Sequence, residues 1–112
     1  MLRGEIWWAS LRSPAGSEPG YRWPVLVIQT NQFNQSLIRT IVAIVMTSNL
    51  ALARAPGNAL CKKKFTGLPK DSVANISQIV TLDKSFLTER VKVLPSRLLQ
   101  QVEEGLRLVL GI

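Results

Sequence analysis

Apolar and polar residues alternate along this chain in two different rhythms. Up to about residue 94 the apolar positions fall in short runs separated by Gly, Pro, Ser and Asn, the pattern of strands and turns. After Pro95 the rhythm changes to Leu98, Leu99, Val102, Leu106, Val109 and Leu110, one stripe at helical period. Pro95 suits a first helical position and Gly111 a stop. Gly105 in mid-helix costs about 1 kcal/mol against alanine, which points to close packing there. Glu103 and Arg107 are spaced for a weak pair along this helix.

The first part resolves into five or six short strands with helical turns between some of them. Glu5 to Ala9 reads as a strand with Trp7 and Trp8 on it. A Ser/Pro/Gly-rich loop, Leu11 to Arg22, leads to a near-continuous apolar run from Pro24 to Thr30, the pattern of a buried strand. Asn31 to Arg39 fits a helical turn or compact loop. Thr40 to Met46 is β-branched without alternation, hence a strand covered on both faces. Ala59 to Phe65 reads as an exposed edge strand carrying Lys62, Lys63 and Lys64, charges that discourage edge pairing. Ser72 to Leu82 and Arg90 to Leu94 read as the last two strands, with a helical turn at Asp83 to Leu87 capped by Asp83. Short strands followed by one helix predict a small, curved, mostly antiparallel barrel. The length, 112 residues, suits a single domain over residues 1–112.

Charge changes this picture. The chain carries 14 Lys and Arg against 7 Asp and Glu, a net charge of +7. That balance favours a polyanionic partner: nucleic acid, an acidic protein or an anionic surface. There is no histidine and one cysteine, Cys61, so a disulfide framework, a zinc site and a His-activated thiol are all disfavoured. Glu5 interrupts any signal core at the start, and no apolar run approaches the ~18 residues of a membrane span. The expectation is a cytoplasmic protein without cofactor or metal.

A small basic domain either binds nucleic acid or cuts it. Cutting RNA through its own 2′-hydroxyl requires removal of that proton, neutralisation of the phosphorane and protonation of the leaving oxygen. Without histidine or clustered carboxylates, Arg, Lys, Glu and hydroxyl groups remain. Glu18 and Arg22 share one loop, and a guanidinium grips phosphate through parallel hydrogen bonds. Thr47 and Ser48 follow a buried strand, which fixes their hydroxyls, although strand-end capping explains them as well. Lys62, Lys63 and Lys64 suit a phosphate backbone or a soluble edge. Trp7, Trp8 and Trp23 offer stacking faces, yet alternation places at least one of the first two inside. None of these signals is specific alone.

Taken in order, several blocks resemble the MazF/PemK family of toxin endoribonucleases. They are Gly4-Glu5-Ile6-Trp7-Trp8, Gly16 to Gln29, Ala43 to Ser48, Gly67-Leu68-Pro69-Lys70-Asp71-Ser72-Val73 with Gln78 to Lys84, and Val102 to Leu110. The resemblance implies a small SH3-like β-barrel of the CcdB/PemK type, working as a homodimer. It implies metal-independent, sequence-selective cleavage of single-stranded RNA to 2′,3′-cyclic phosphate and 5′-hydroxyl ends, with a small acidic MazE-like antitoxin as partner. It assigns catalysis to an arginine before the second-strand proline and to a threonine after the third strand. The threonine is Thr47. Here the residue before Pro24 is Trp23, and the arginine, Arg22, stands one place earlier. Adjacent strand residues face opposite ways. A local bulge, a non-equivalent pair or an impaired nuclease would each account for this shift. The reading adopted takes Arg22 and Thr47 as catalytic, Glu18 as the group orienting Arg22, and Trp23, Ser48, Gln78 and the three lysines as RNA contacts. The alternative is a non-catalytic nucleic-acid binder or a CcdB-like toxin that inhibits a protein.

Overall fold

A computed structural model of the chain describes residues 1–11 and 21–112. Among these described residues, six antiparallel strands form one sheet: β1 (Glu5–Leu11), β2 (Tyr21–Val27), β3 (Thr40–Thr47), β4 (Ala59–Cys61), β5 (Ser72–Asp83) and β6 (Leu87–Val93). Their spatial order is β4-β5-β3-β2-β1-β6. Three helices accompany them, α1 (Asn31–Asn34), α2 (Lys63–Thr66) and α3 (Ser96–Leu110), with 3-10 turns at Leu50–Arg54 and Lys84–Phe86. The expected mostly-β architecture with a terminal helix is present.

Both faces of the sheet are covered, as the unbroken apolar run of β3 implies. On one face Ile6, Leu26, Ile44, Met46, Ala74 and Ile76 meet Val102 and Leu106 of α3. On the other, Ala9, Val25, Val27, Ile41, Ala43 and Leu87 form a second cluster where the sheet curls over itself. Alternation along β1 splits its tryptophans: Trp8 packs against the first cluster and Trp7 against the second. Gly105 lets α3 approach closely. A Cβ built there would stand 2.1 Å from the carbonyl oxygen of Gly57.

Three expectations change in detail. β2 begins at Tyr21, before Pro24, because β1 pairs with it as far as Leu11↔Tyr21. The edge strand expected at Ala59 to Phe65 stops at Cys61, and Lys63–Thr66 turn into a helix. The side-chain oxygen of Asp71 accepts from the Lys63 N–H at 2.8 Å and holds that turn against the following loop. β6 begins at Leu87 rather than Arg90. The Asp83 cap is present, its carboxylate accepting from the Ser85 N–H at 2.9 Å. β5 also carries extra residues, since Ile44 pairs with Ile79 but Met46 with Ala74. The side chain of Asn58 pins this bulge by accepting from the Ile76 N–H at 2.9 Å and donating to Asn75 at 3.1 Å.

Candidate active site

At one end of the sheet, where β2 begins and β3 ends, lies a cleft of about 400 Å³. Trp8, Arg22, Trp23 and Pro24 line one side, Met46, Thr47 and Ser48 another, and the turn Leu68-Pro69-Lys70 with Ser72 a third. Met46 and Leu68 belong to the first apolar cluster, so the floor is rigid and dry. The polar groups stand at its rim.

The geometry removes one of the three accounts of Trp23, the local bulge. Ser10↔Arg22, Ala9↔Trp23 and Trp8↔Pro24 pair in unbroken register, so β2 has no bulge here. Arg22, Pro24 and Leu26 therefore share a face with Trp8, while Trp23 shares the other with Val25 and Val27. Arg22 reaches the cleft from the position it occupies. Its guanidinium carbon lies 4.4 Å from the centre of a Trp8 ring, a stacked cation–π contact. One terminal nitrogen of the same group is ion-paired with Glu89 of β6. Among the described residues, no other side chain bonds the rest of the fork.

Thr47 is half-buried at the end of β3. Its hydroxyl oxygen accepts from the Asn49 N–H at 3.1 Å. A hydroxyl that accepts in this way still has its one proton to give. Strand-end capping and a donor role are thus compatible in one residue.

The other candidates divide. Ser48 lines the cleft and is exposed. Trp23 lines it too, although its ring packs against the second cluster. Gln78 is exposed on the β5 bulge, outside the cleft, and accepts from Asn75 at 3.1 Å. Lys62, Lys63 and Lys64 are exposed on and before α2 and do not line the cleft. Glu18 lies outside the described residues. Sequence reasoning passed over Lys70 and Glu89, and weighed Trp8 as a base-stacking or core residue rather than as a seat for Arg22. Lys70 stands in the block Gly67 to Val73, which drew notice only as a family signature. Glu89 had no local signal, because its partner lies on a different strand.

Two relatives bear on what this cleft belongs to. Endoribonuclease MazF6 of Mycobacterium tuberculosis is 50% identical over 110 residues, spanning 98% of this chain and 96% of the relative. Endoribonuclease EndoA of Bacillus subtilis is 34% identical over 110 residues, spanning 98% and 94%. The sequence profile of the PemK-like, MazF-like toxins of type II toxin–antitoxin systems matches residues 2–110. The chain belongs to the MazF/PemK family of toxin endoribonucleases.

Solved structures agree on the fold of this MazF/PemK protein. A mycobacterial endoribonuclease in complex with its cognate antitoxin superposes with a TM-score of 0.80 at 21% identity, over 100% of this chain and 96% of that one. A MazE–MazF complex from Deinococcus radiodurans gives 0.80 at 24%, over 100% and 96%. Among the described residues no three His, Cys, Asp or Glu side chains cluster to hold a metal, and no helix is long and apolar enough to cross a membrane.

Proposed function

We propose that this chain is a cytoplasmic mRNA-cutting toxin that cleaves single-stranded RNA by metal-independent transfer of the phosphate to the neighbouring 2′-oxygen. The observation that carries the reading is the meeting of Arg22 and Thr47, from two different strands, on one cleft. In that reaction the 2′-oxygen attacks phosphorus and the bond to the 5′-oxygen breaks. The 2′,3′-cyclic phosphate stays on one product and a 5′-hydroxyl on the other. The Arg22 fork holds two phosphate oxygens and supplies a proton toward the leaving oxygen. The Thr47 hydroxyl donates to the charge developing on the phosphorane. Glu18, four residues before Arg22 in the sequence, orients it, and the 2′ proton passes by way of Arg22 to the leaving 5′-oxygen, so that the guanidinium ends the step protonated as it began.

Lys70 and Ser48 widen the positive, hydrogen-bonding rim. Trp23, Gln78 and Lys62, Lys63 and Lys64 would contact the strand beyond the cut. A net charge of +7 suits both RNA and an acidic antitoxin segment that folds over the same surface. A homodimer accords with the fully exposed Leu37 and with exposed Phe33 and Ile38 near it in sequence.

The test is incubation of purified protein with a long single-stranded RNA in excess EDTA, followed by end mapping. Discrete cuts bearing 5′-hydroxyl ends are expected, at a rate without a histidine inflection near neutral pH. Cleavage abolished by EDTA and restored by Mg²⁺ would overturn the mechanism. Binding without cleavage would point to the non-catalytic reading.

A further inference from the structure

We infer that Glu89 is a positioning residue for the cleavage reaction: together with Trp8 it seats the Arg22 guanidinium at the mouth of the cleft. The inference rests on the catalytic role proposed for Arg22. Three strands converge to build the seat. Trp8 on β1 pairs directly with Glu89 on β6 and with Pro24 on β2, so all three side chains stand on one face of the sheet. Arg22, two residues before Pro24, lies over the Trp8 ring at 4.4 Å and bonds Glu89 through one terminal nitrogen.

These two contacts constrain different freedoms. The ring holds the centre of the guanidinium over its face, where a cation meets the aromatic quadrupole. The carboxylate limits rotation about that position by holding one corner of the fork. Among the described residues, the N–H groups away from Glu89 have no side-chain partner, and such donors are what a phosphate needs in pairs. The Arg22 side chain is about half exposed, and that of Glu89 nearly two-thirds. An exposed ion pair adds little to stability, so what the contact supplies is orientation of a long, flexible side chain. Pre-orientation of a reacting group raises the rate of chemistry more than the strength of binding.

Charge and geometry therefore pull in opposite directions at this residue. Removing the carboxylate makes the cleft rim more positive and should tighten RNA binding. It also releases Arg22 and should slow the chemical step. The experiment compares Glu89→Ala, Glu89→Gln and Arg22→Ala with the native chain. Single-turnover cleavage is measured at saturating enzyme, and binding is measured with a 2′-O-methyl RNA that cannot be cut. Ala and Gln carry the same charge, but only Gln keeps an oxygen to hold the fork. We expect Glu89→Ala to bind at least as tightly as the native chain and to cleave about ten- to a hundredfold more slowly. Glu89→Gln should recover most of that loss. Equal single-turnover rates for Glu89→Ala and the native chain, with Arg22→Ala inactive, would overturn the positioning role and leave the role of Arg22 standing. Full activity of Arg22→Ala would overturn both. Loss in Glu89→Ala matched by equal loss in Glu89→Gln would also overturn it, since charge alone would then account for the effect.

Discussion

Gly105 and Gly57 are in direct backbone contact. The space that a methyl group would need on Gly105 is filled by the Gly57 carbonyl oxygen, 2.1 Å from where it would sit, and by the Gly57 carbonyl carbon at 3.0 Å. Helix α3 is thereby seated on the turn that precedes β4. Gly57 is itself in the left-handed backbone region, φ +82°, so neither partner accepts a side chain without a shift.

Gly105→Ala is therefore expected to destabilise the protein, although alanine is the better helix former by about 1 kcal/mol. Overpacking against backbone costs roughly 1–3 kcal/mol or more, which outweighs the propensity gain. Urea denaturation in an inactive Thr47→Ala background would show a lower midpoint. An unchanged or higher midpoint would mean that the helix backs away at no cost.

Thr47→Ala should fold normally and lose most cleavage. The native hydroxyl contributes one hydrogen bond from the Asn49 N–H at a half-exposed position, so stability should fall by no more than about 1 kcal/mol. Loss of one donor to the transition state costs about 10²–10³ in rate. Near-native cleavage by a normally melting Thr47→Ala variant would exclude Thr47 from the chemistry.

Arg22→Lys should fail nearly as badly as Arg22→Ala. Lysine retains the charge but neither lies flat on Trp8 nor offers a fork to two phosphate oxygens. The neighbouring change, Trp23→Arg, restores an arginine directly before Pro24 but turns a guanidinium toward Val25 and Val27. It should lower stability by about 1 kcal/mol or more without raising the rate. A faster Trp23→Arg enzyme would show that the β2 register permits either position.

Acid should weaken the fold through Glu5. Burial alone would raise the pKa of this carboxyl. The Arg90 guanidinium and the N–H groups of Leu2 and Trp7 bond its charged form and together bring it below the ordinary glutamate value. The folded state thus binds this proton less readily than the unfolded chain. Its contribution is complete above the ordinary glutamate pKa and fades as pH falls toward the lower, folded one. Comparison of urea midpoints at about pH 7 and about pH 3 should show a smaller acid loss in Glu5→Gln than in the native chain. Equal losses would place the acid sensitivity elsewhere.

Cys61 should be chemically silent in the folded protein. It is fully buried at the end of β4, and burial pushes its thiol up to about 11. A disulfide reagent at mildly alkaline pH should react only after denaturant is added. Rapid labelling of the native chain would reveal frequent opening of the β4 edge.

What could be read in advance follows the range of the forces involved. The apolar stripe and C-terminal stop of α3 and the covered faces of β3 are set by local rhythm and stand where the pattern places them, while the helix starts one residue late, at Ser96, with Pro95 at the N-cap position instead of the first turn. The start of β2 and the early start of β6 are set by pairing with β1, a contact between distant segments, and no local signal marks them. Lys62, Lys63 and Lys64 suggested a charged edge strand, yet the Asp71 carboxylate and the left-handed Gly67 that follows close them into a helical turn. At the site the same division holds. Thr47 and Arg22 were visible because each sits beside a strong apolar strand. Glu89 was not, since its importance comes from β1 lying between β2 and β6. Trp8 looked like a core residue and is one, half-buried against the first cluster, while its outer face carries the guanidinium.

The pairing of β1 with β6 joins two segments that are widely separated in the order of synthesis. On the ribosome β1 emerges well before β6, and its outer edge stays unpaired until Leu87–Val93 have cleared the exit tunnel. Glu89 arrives with them. A nascent chain carries Arg22 and Thr47 long before it can hold the arginine in place. Arrested products that end before β6 would expose an open strand edge to quality-control proteases and would lack the seat for Arg22.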